Sequence, residues 1–153
     1  MATVSRTVQV PPERVFGVLA DGWSYSDWVV GTAHIRDVDA HWPQPGARLH
    51  FRAGPWPVGL HDSSTVLECV PARLLTLRAG LWPLGEATVR IELAPAGTGA
   101  TRVTLHEDFH AGPLHWLRTK VNDLVLHGRN VECLRRLADL AEHSDRSARS
   151  GQR

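Results

Sequence analysis

"TRVTLHEDFHAGP", residues 101–113, carries two signals that cannot both hold. His106, Glu107 and His110 spell His-Glu-x-x-His, a string that grips zinc when residues four apart share one face of a helix. The five residues before it alternate instead. Thr101, Val103 and Leu105 take one parity, Arg102 and Thr104 the other, and Ala111-Gly112-Pro113 follows at once. β-Branched residues in alternation read as a strand, and Gly-Pro stops a helix. On a strand the two histidines stand about 13 Å apart, at ~3.3 Å per residue. One zinc ion does not span that distance, so the segment is read as a strand. The residue that then needs explaining is Glu107, which falls in phase with Val103, Leu105 and Phe109.

Working back from this strand, residues 33–39, 47–53, 60–70, 73–79, 85–94 and 100–109 read as six β segments. They are separated by "HWPQPG", "GPWPVG", "VPAR", "GLWPLG" and "PAGTG", all rich in turn-forming residues. Residues 3–10 form an earlier strand through Val4, Val8 and Val10. Pro11-Pro12 opens a short helix bearing Val15, Phe16, Val18 and Leu19, with proline suited to a first turn. "DGWSYSDWVVG" (21–31) predicts a second short helix capped by the hydroxyl of Ser24. Residues 114 to about 142 predict one long helix, with an apolar stripe through Leu117, Val121, Leu124, Gly128, Val131 and Leu134. The tail 143–153, "HSDRSARSGQR", is polar and expected to be disordered.

The chain's 153 residues, 42% of them hydrophobic, suit one domain over residues 1–142 with a single core. A formal net charge of +1 and the lack of a basic stripe give no reason to expect nucleic acid. Of the 17 basic residues only Lys120 is a lysine, a skew that points to a GC-rich genome. Cys69 and Cys133 have no CxxC neighbour and are expected as reduced thiols, consistent with a cytoplasmic, soluble protein without stable membrane insertion. No three histidines have metal-like spacing, and there is no phosphate loop, G-x-G-x-x-G or G-x-S-x-G, so neither a metal nor a nucleotide cofactor is expected.

Short connections predict an α+β fold: a seven-stranded antiparallel meander wrapped around a long C-terminal helix, with two short helices after the first strand. Such a sheet coils around its helix, and the space between them need not be filled by side chains. Gly128 costs ~1 kcal/mol of helix propensity relative to alanine, which invites either close helix–sheet packing or room for a ligand.

The order of elements resembles the helix-grip fold of the START and Bet v 1-like (SRPBCC) superfamily, and the detailed text resembles its bacterial polyketide cyclase/dehydrase-like branch. The resemblance rests on "VPPERVFGVLADGWSYSDWVVG" (10–31), "PGARLHF" (45–51), "PLGEATVRIEL" (83–93), "TRVTLHEDFHAGP" (101–113) and "RNVECLRRLADLAE" (129–142). It covers the chain except the tail. It implies an internal cavity for an apolar or aromatic small molecule or lipid, used by some members to cyclise polyketides and by others only to carry or sense a ligand. Fold alone does not choose between these.

Glu107 is the candidate catalytic residue. A carboxylate on the inward parity is costly unless paired or hydrogen-bonded, so it faces either an internal partner, for which Arg78 is the candidate, or a partly wet cavity where it is available for acid/base work on an enolisable carbonyl. Arg78 is out of phase with Leu75 and Leu77, which weakens its claim. Trp28 is expected to be buried as core or as a flat wall of the cavity, and Tyr25 either offers its hydroxyl to a ligand or lies exposed. Trp56 and Trp82, in the two Trp-Pro turns, are expected at one edge of the sheet with "HAGP", where the resemblance places the cavity mouth. Arg78, Val121, Leu124 and Gly128 complete the expected ligand-binding set. Three functions remain open at this level: a polyketide cyclase/dehydratase-type enzyme, a non-catalytic carrier or sensor of a hydrophobic small molecule, or a small subunit docking a protein through its tryptophan loops. The chain is expected to act as a monomer or homodimer.

Overall fold

The computed structural model describes residues 2–30, 32–53, 60–80, 86–111 and 120–150. Seven strands and three α-helices follow one another as β1 (Ala2–Val8), α1 (Pro12–Ala20), α2 (Tyr25–Trp28), β2 (Thr32–Val38), β3 (Arg48–Ala53), β4 (Leu60–Val70), β5 (Leu74–Gly80), β6 (Glu86–Pro95), β7 (Thr101–Ala111) and α3 (Lys120–Ser150), with a 3-10 turn at Gly22–Ser24. All strands pair antiparallel in the order β1-β7-β6-β5-β4-β3-β2. The strands lie where the alternation places them, within two residues at each end. β2 to β7 form the expected meander. β1, however, pairs with β7 and not with β2, so α1 and α2 carry the chain from one edge of the sheet to the other.

One face of the sheet is apolar. Val4, Val8, Ile35, Leu49, Phe51, Val66, Leu75, Leu77, Ile91, Leu93, Val103 and Leu105 are all buried with the residues of α3 in one core. A register shift between Val66 and Glu68 lets β4 bend, and Leu67 is correspondingly turned outward. α1 opens on Pro12 without a side-chain cap, as a helix can when proline occupies its first turn. Asp21, rather than Ser24, supplies the next cap: its carboxylate accepts from the Trp23 amide at 3.2 Å. The Ser24 hydroxyl instead donates back to the carbonyls of Val18 and Asp21. Gly22 is required by close approach, because a Cβ there would lie 2.6 Å from Cγ1 of Val38.

α3 covers the sheet with Asn130, Cys133, Leu134, Leu137, Ala138 and Ala141, a three- and four-residue spacing. This stripe is rotated from the one expected. Leu124 is 72% exposed and Val131 44% exposed. Gly128 is also exposed, and a Cβ there would meet nothing within 4 Å, so helix–sheet packing does not require it. The helix continues through Ser150, where an irregular tail was expected. Residues 143–150 hold neither glycine nor proline, so a helix nucleated by its buried turns can propagate through them. No described helix is long and apolar enough to cross a membrane. The architecture is the helix-grip α+β fold.

Candidate functional site: a cavity between sheet and helix

The interior is filled at one level and hollow at the next. Towards the C-terminal end of α3, Leu134, Leu137 and Ala138 lie in the same core as Leu19, Leu75, Leu93 and Val103, and all are nearly or fully inaccessible. One step along the strands, at the level of Arg129 and Cys133, a cavity of about 210 Å³ opens. Its floor is the inner face of four central strands: Leu49 and Phe51 of β3, Ser64 of β4, Leu77 and Ala79 of β5, Val89 and Ile91 of β6. Leu105 of β7 closes one side, and Tyr25, Trp28, Val29 and Thr32 close another. Among the described residues α3 presents Cys133 and Arg129 here, where lower down it presents leucines.

Tyr25 and Trp28 form an aromatic wall, their ring centroids 4.8 Å apart. Behind them Trp42 meets Tyr25 edge-on at 5.5 Å. The Tyr25 hydroxyl is not available to a ligand. It donates to the Leu19 carbonyl at 2.7 Å, an oxygen that also accepts from Trp42 Nε1 at 3.2 Å. Burial, and to a lesser degree the nearby Cys69 and Asp21, push its ionisation well above the ordinary tyrosine range. Tyr25 therefore contributes its ring and not its hydroxyl. Trp28 Nε1 is enclosed and has no acceptor among the described residues, so the residue faces the cavity with its ring surface.

The polar chemistry comes from Arg129. Its Nε donates to the Val30 carbonyl at 2.9 Å, and its Nη1 faces both carboxylate oxygens of Glu107, at 3.3 and 3.5 Å. One turn further on, Cys133 Sγ accepts from the Val30 amide at 3.3 Å, and burial raises its thiol's ionisation. Two side chains of α3 thus hold Val30, and with it the segment that forms one wall. Glu107 is buried together with Val103 and Leu105, on the parity expected. It sits in register with Val89, which itself pairs with Leu77, so the carboxylate lies on the same row as two wall residues. Glu107 is not itself one of the wall residues; Arg129 is. A carboxylate 4% exposed is tolerable because the guanidinium, 29% exposed, lies against it and keeps contact with solvent.

The remaining expected residues scatter. Arg78 is exposed on the outer face of β5 and is not the partner of Glu107, as its parity requires. Leu124 and Gly128 are exposed rather than turned to the cavity. Trp56 and Trp82 lie outside the described residues, as does the side chain of Val121. His106 faces away from the cavity, shares a 3.0 Å hydrogen bond with Thr3 and lies 3.6 Å from Glu92. There it joins Arg90 in holding the Glu92 carboxyl below its usual range, the Arg90 hydrogen bond being the larger cause. Arg129 was missed, although a signal existed: counting back by four from Leu137 through Cys133 reaches it.

The family described as polyketide cyclase / dehydrase and lipid transport matches residues 1–142. Solved structures with the same fold include the Zhui aromatase/cyclase of a Streptomyces species, at 19% identity and TM-score 0.74 over 96% of each chain. Protein NE0264 of Nitrosomonas europaea is similar at 21% identity and TM-score 0.71, over 94% of each chain. Protein MLL2253 of Mesorhizobium loti is similar at 17% identity and TM-score 0.68, over 93% of this chain and 96% of that one. No curated protein matches the chain. At these identities the structural likeness concerns the fold, while the match along residues 1–142 concerns the sequence itself, and by it the chain belongs to the polyketide cyclase / dehydrase and lipid transport family.

Proposed function

We propose that the protein binds a compact, ring-containing apolar molecule in the hollow between the sheet and α3. The supporting observation is the hollow itself: about 210 Å³, walled by aliphatic side chains and the faces of Tyr25 and Trp28. An apolar cavity of ~150 Å³ stays dry and admits benzene, so this one suits one or two fused rings. Binding would be driven by removing apolar ligand surface from water. The test is mass spectrometry of organic extracts from the purified protein, beside a Val89→Phe variant whose larger side chain fills the floor. A compound recovered from the wild type and not from the variant supports the reading. Equal recovery from both contradicts it.

A second reading is acid/base chemistry of the cyclase/dehydratase kind. The Glu107–Arg129 pair favours a particular form of it. Both carboxylate oxygens already face Arg129, so the group a ligand meets is the guanidinium. Arg129 would hold and polarise a neutral substrate carbonyl, with Glu107 fixing the guanidinium in place.

A further inference from the structure

Within this reading, the pairing of Arg129 with Glu107 has a consequence for which ligands enter. Arg129 is the one charged residue among the described wall residues. Its Nε is taken by Val30 and its Nη1 by Glu107, while Nη2 makes no hydrogen bond among the described residues. A guanidinium is donor-only, so Nη2 can meet an acceptor oxygen and nothing else. The positive charge beside that oxygen is already balanced by a carboxylate 3.3 Å from Nη1. A second anion at Nη2 would stand within a few ångströms of Glu107, in an apolar enclosure where like charges are poorly screened. A neutral carbonyl carries no such penalty.

We infer that Glu107 is a specificity-determining residue: it makes the Arg129 oxygen site selective for neutral carbonyl ligands and excludes carboxylates and other anions. The inference rests on the proposed cavity binding. Its action is exerted through Arg129, so Glu107 need not touch the ligand. Removing its charge without its shape should convert the site into an anion site, because Arg129 would then carry an unbalanced charge beside the cavity.

The experiment uses equilibrium dialysis with three probes, 1-ethylnaphthalene, 1-acetylnaphthalene and 1-naphthoate, at pH 8, against the wild type and Glu107→Gln. The glutamine keeps the volume and can still accept from Arg129. Wild type is expected to bind the ketone at least tenfold more tightly than the carboxylate. Glu107→Gln is expected to improve naphthoate binding tenfold or more and so to abolish the preference for the ketone. Glu107→Ala, checked for fold by circular dichroism, serves as a second variant with the same expected gain. The inference is overturned if wild type prefers naphthoate, or if the folded variants bind naphthoate no better. If ethylnaphthalene still binds in those cases, cavity binding stands without the selectivity; if none of the three probes binds, both fall.

Discussion

The carboxylate of Glu107, on the last strand, lies 3.3 Å from Nη1 of Arg129 on the covering helix, and the two are unequally buried at 4% and 29%. This inequality predicts unequal costs of truncation. Arg129→Met strands a carboxylate inside the fold and is expected to destabilise by about 2–3 kcal/mol. Glu107→Leu leaves a guanidinium that reaches water and should cost under about 1 kcal/mol. Urea denaturation of both variants measures this. Equal costs, or the reverse order, would show that the pair is not organised around the buried acid.

Tyr25 provides a pH dependence with a definite sign. Its ionisation is raised in the folded state, so the neutral phenol is the form the fold accepts. The contribution is fully present below the unfolded value of ~10 and is lost progressively as pH rises above it, because the unfolded chain then gives up a proton that the folded chain keeps. Tyr25→Phe should cost about 1 kcal/mol near neutrality, with the Leu19 carbonyl still served by Trp42. Above pH 10 that deficit should shrink. Thermal melts across pH 7–11 check the trend, and a constant deficit would contradict it.

His106 is predicted to be dispensable to the cavity. Its partners, Thr3 and Glu92, are on the outer face, and partly exposed pairs of this kind contribute little. His106→Ala should change stability by no more than about 1 kcal/mol and leave the dialysis affinity for 1-acetylnaphthalene unaltered. A large loss of affinity would mean that the outer face takes part in binding.

Most of the fold was legible because alternation and turn chemistry are local signals. Residues 101–108 state their strand parity openly, and that parity placed Glu107 inside. The partner of Glu107 was not legible for the same reason that the helix stripe was misphased. Leucine and valine were counted as the buried face, and that count passes through Leu124 and Val131, which are exposed. Where α3 lies against the sheet it uses Cys133, Ala138 and Ala141, small residues that allow approach but carry little hydrophobic signal. Counting those rotates the helix and brings Arg129 to the cavity. Trp42 was hidden differently. It sits in "HWPQPG", whose prolines and glycine mark a turn, yet its ring is buried against Tyr25. A turn can carry a core residue, and no periodicity announces it.

Filling the hollow should separate binding from stability. Val89→Phe adds apolar volume to space that side chains do not occupy, so its stability should stay within about 1.5 kcal/mol of wild type. Affinity for 1-acetylnaphthalene should fall at least tenfold in dialysis. Retained affinity would place the binding site elsewhere.

The most direct test of a ligand-holding space between sheet and helix is a methyl-selective NMR titration with 1-acetylnaphthalene. The account predicts that the methyl signals of Val89, Ile91, Leu77 and Leu105 shift together and saturate, while those of Leu67 and Val70 on the outer face stay fixed. Shifts confined to the outer face, or no saturable change at the four inner residues, would contradict it.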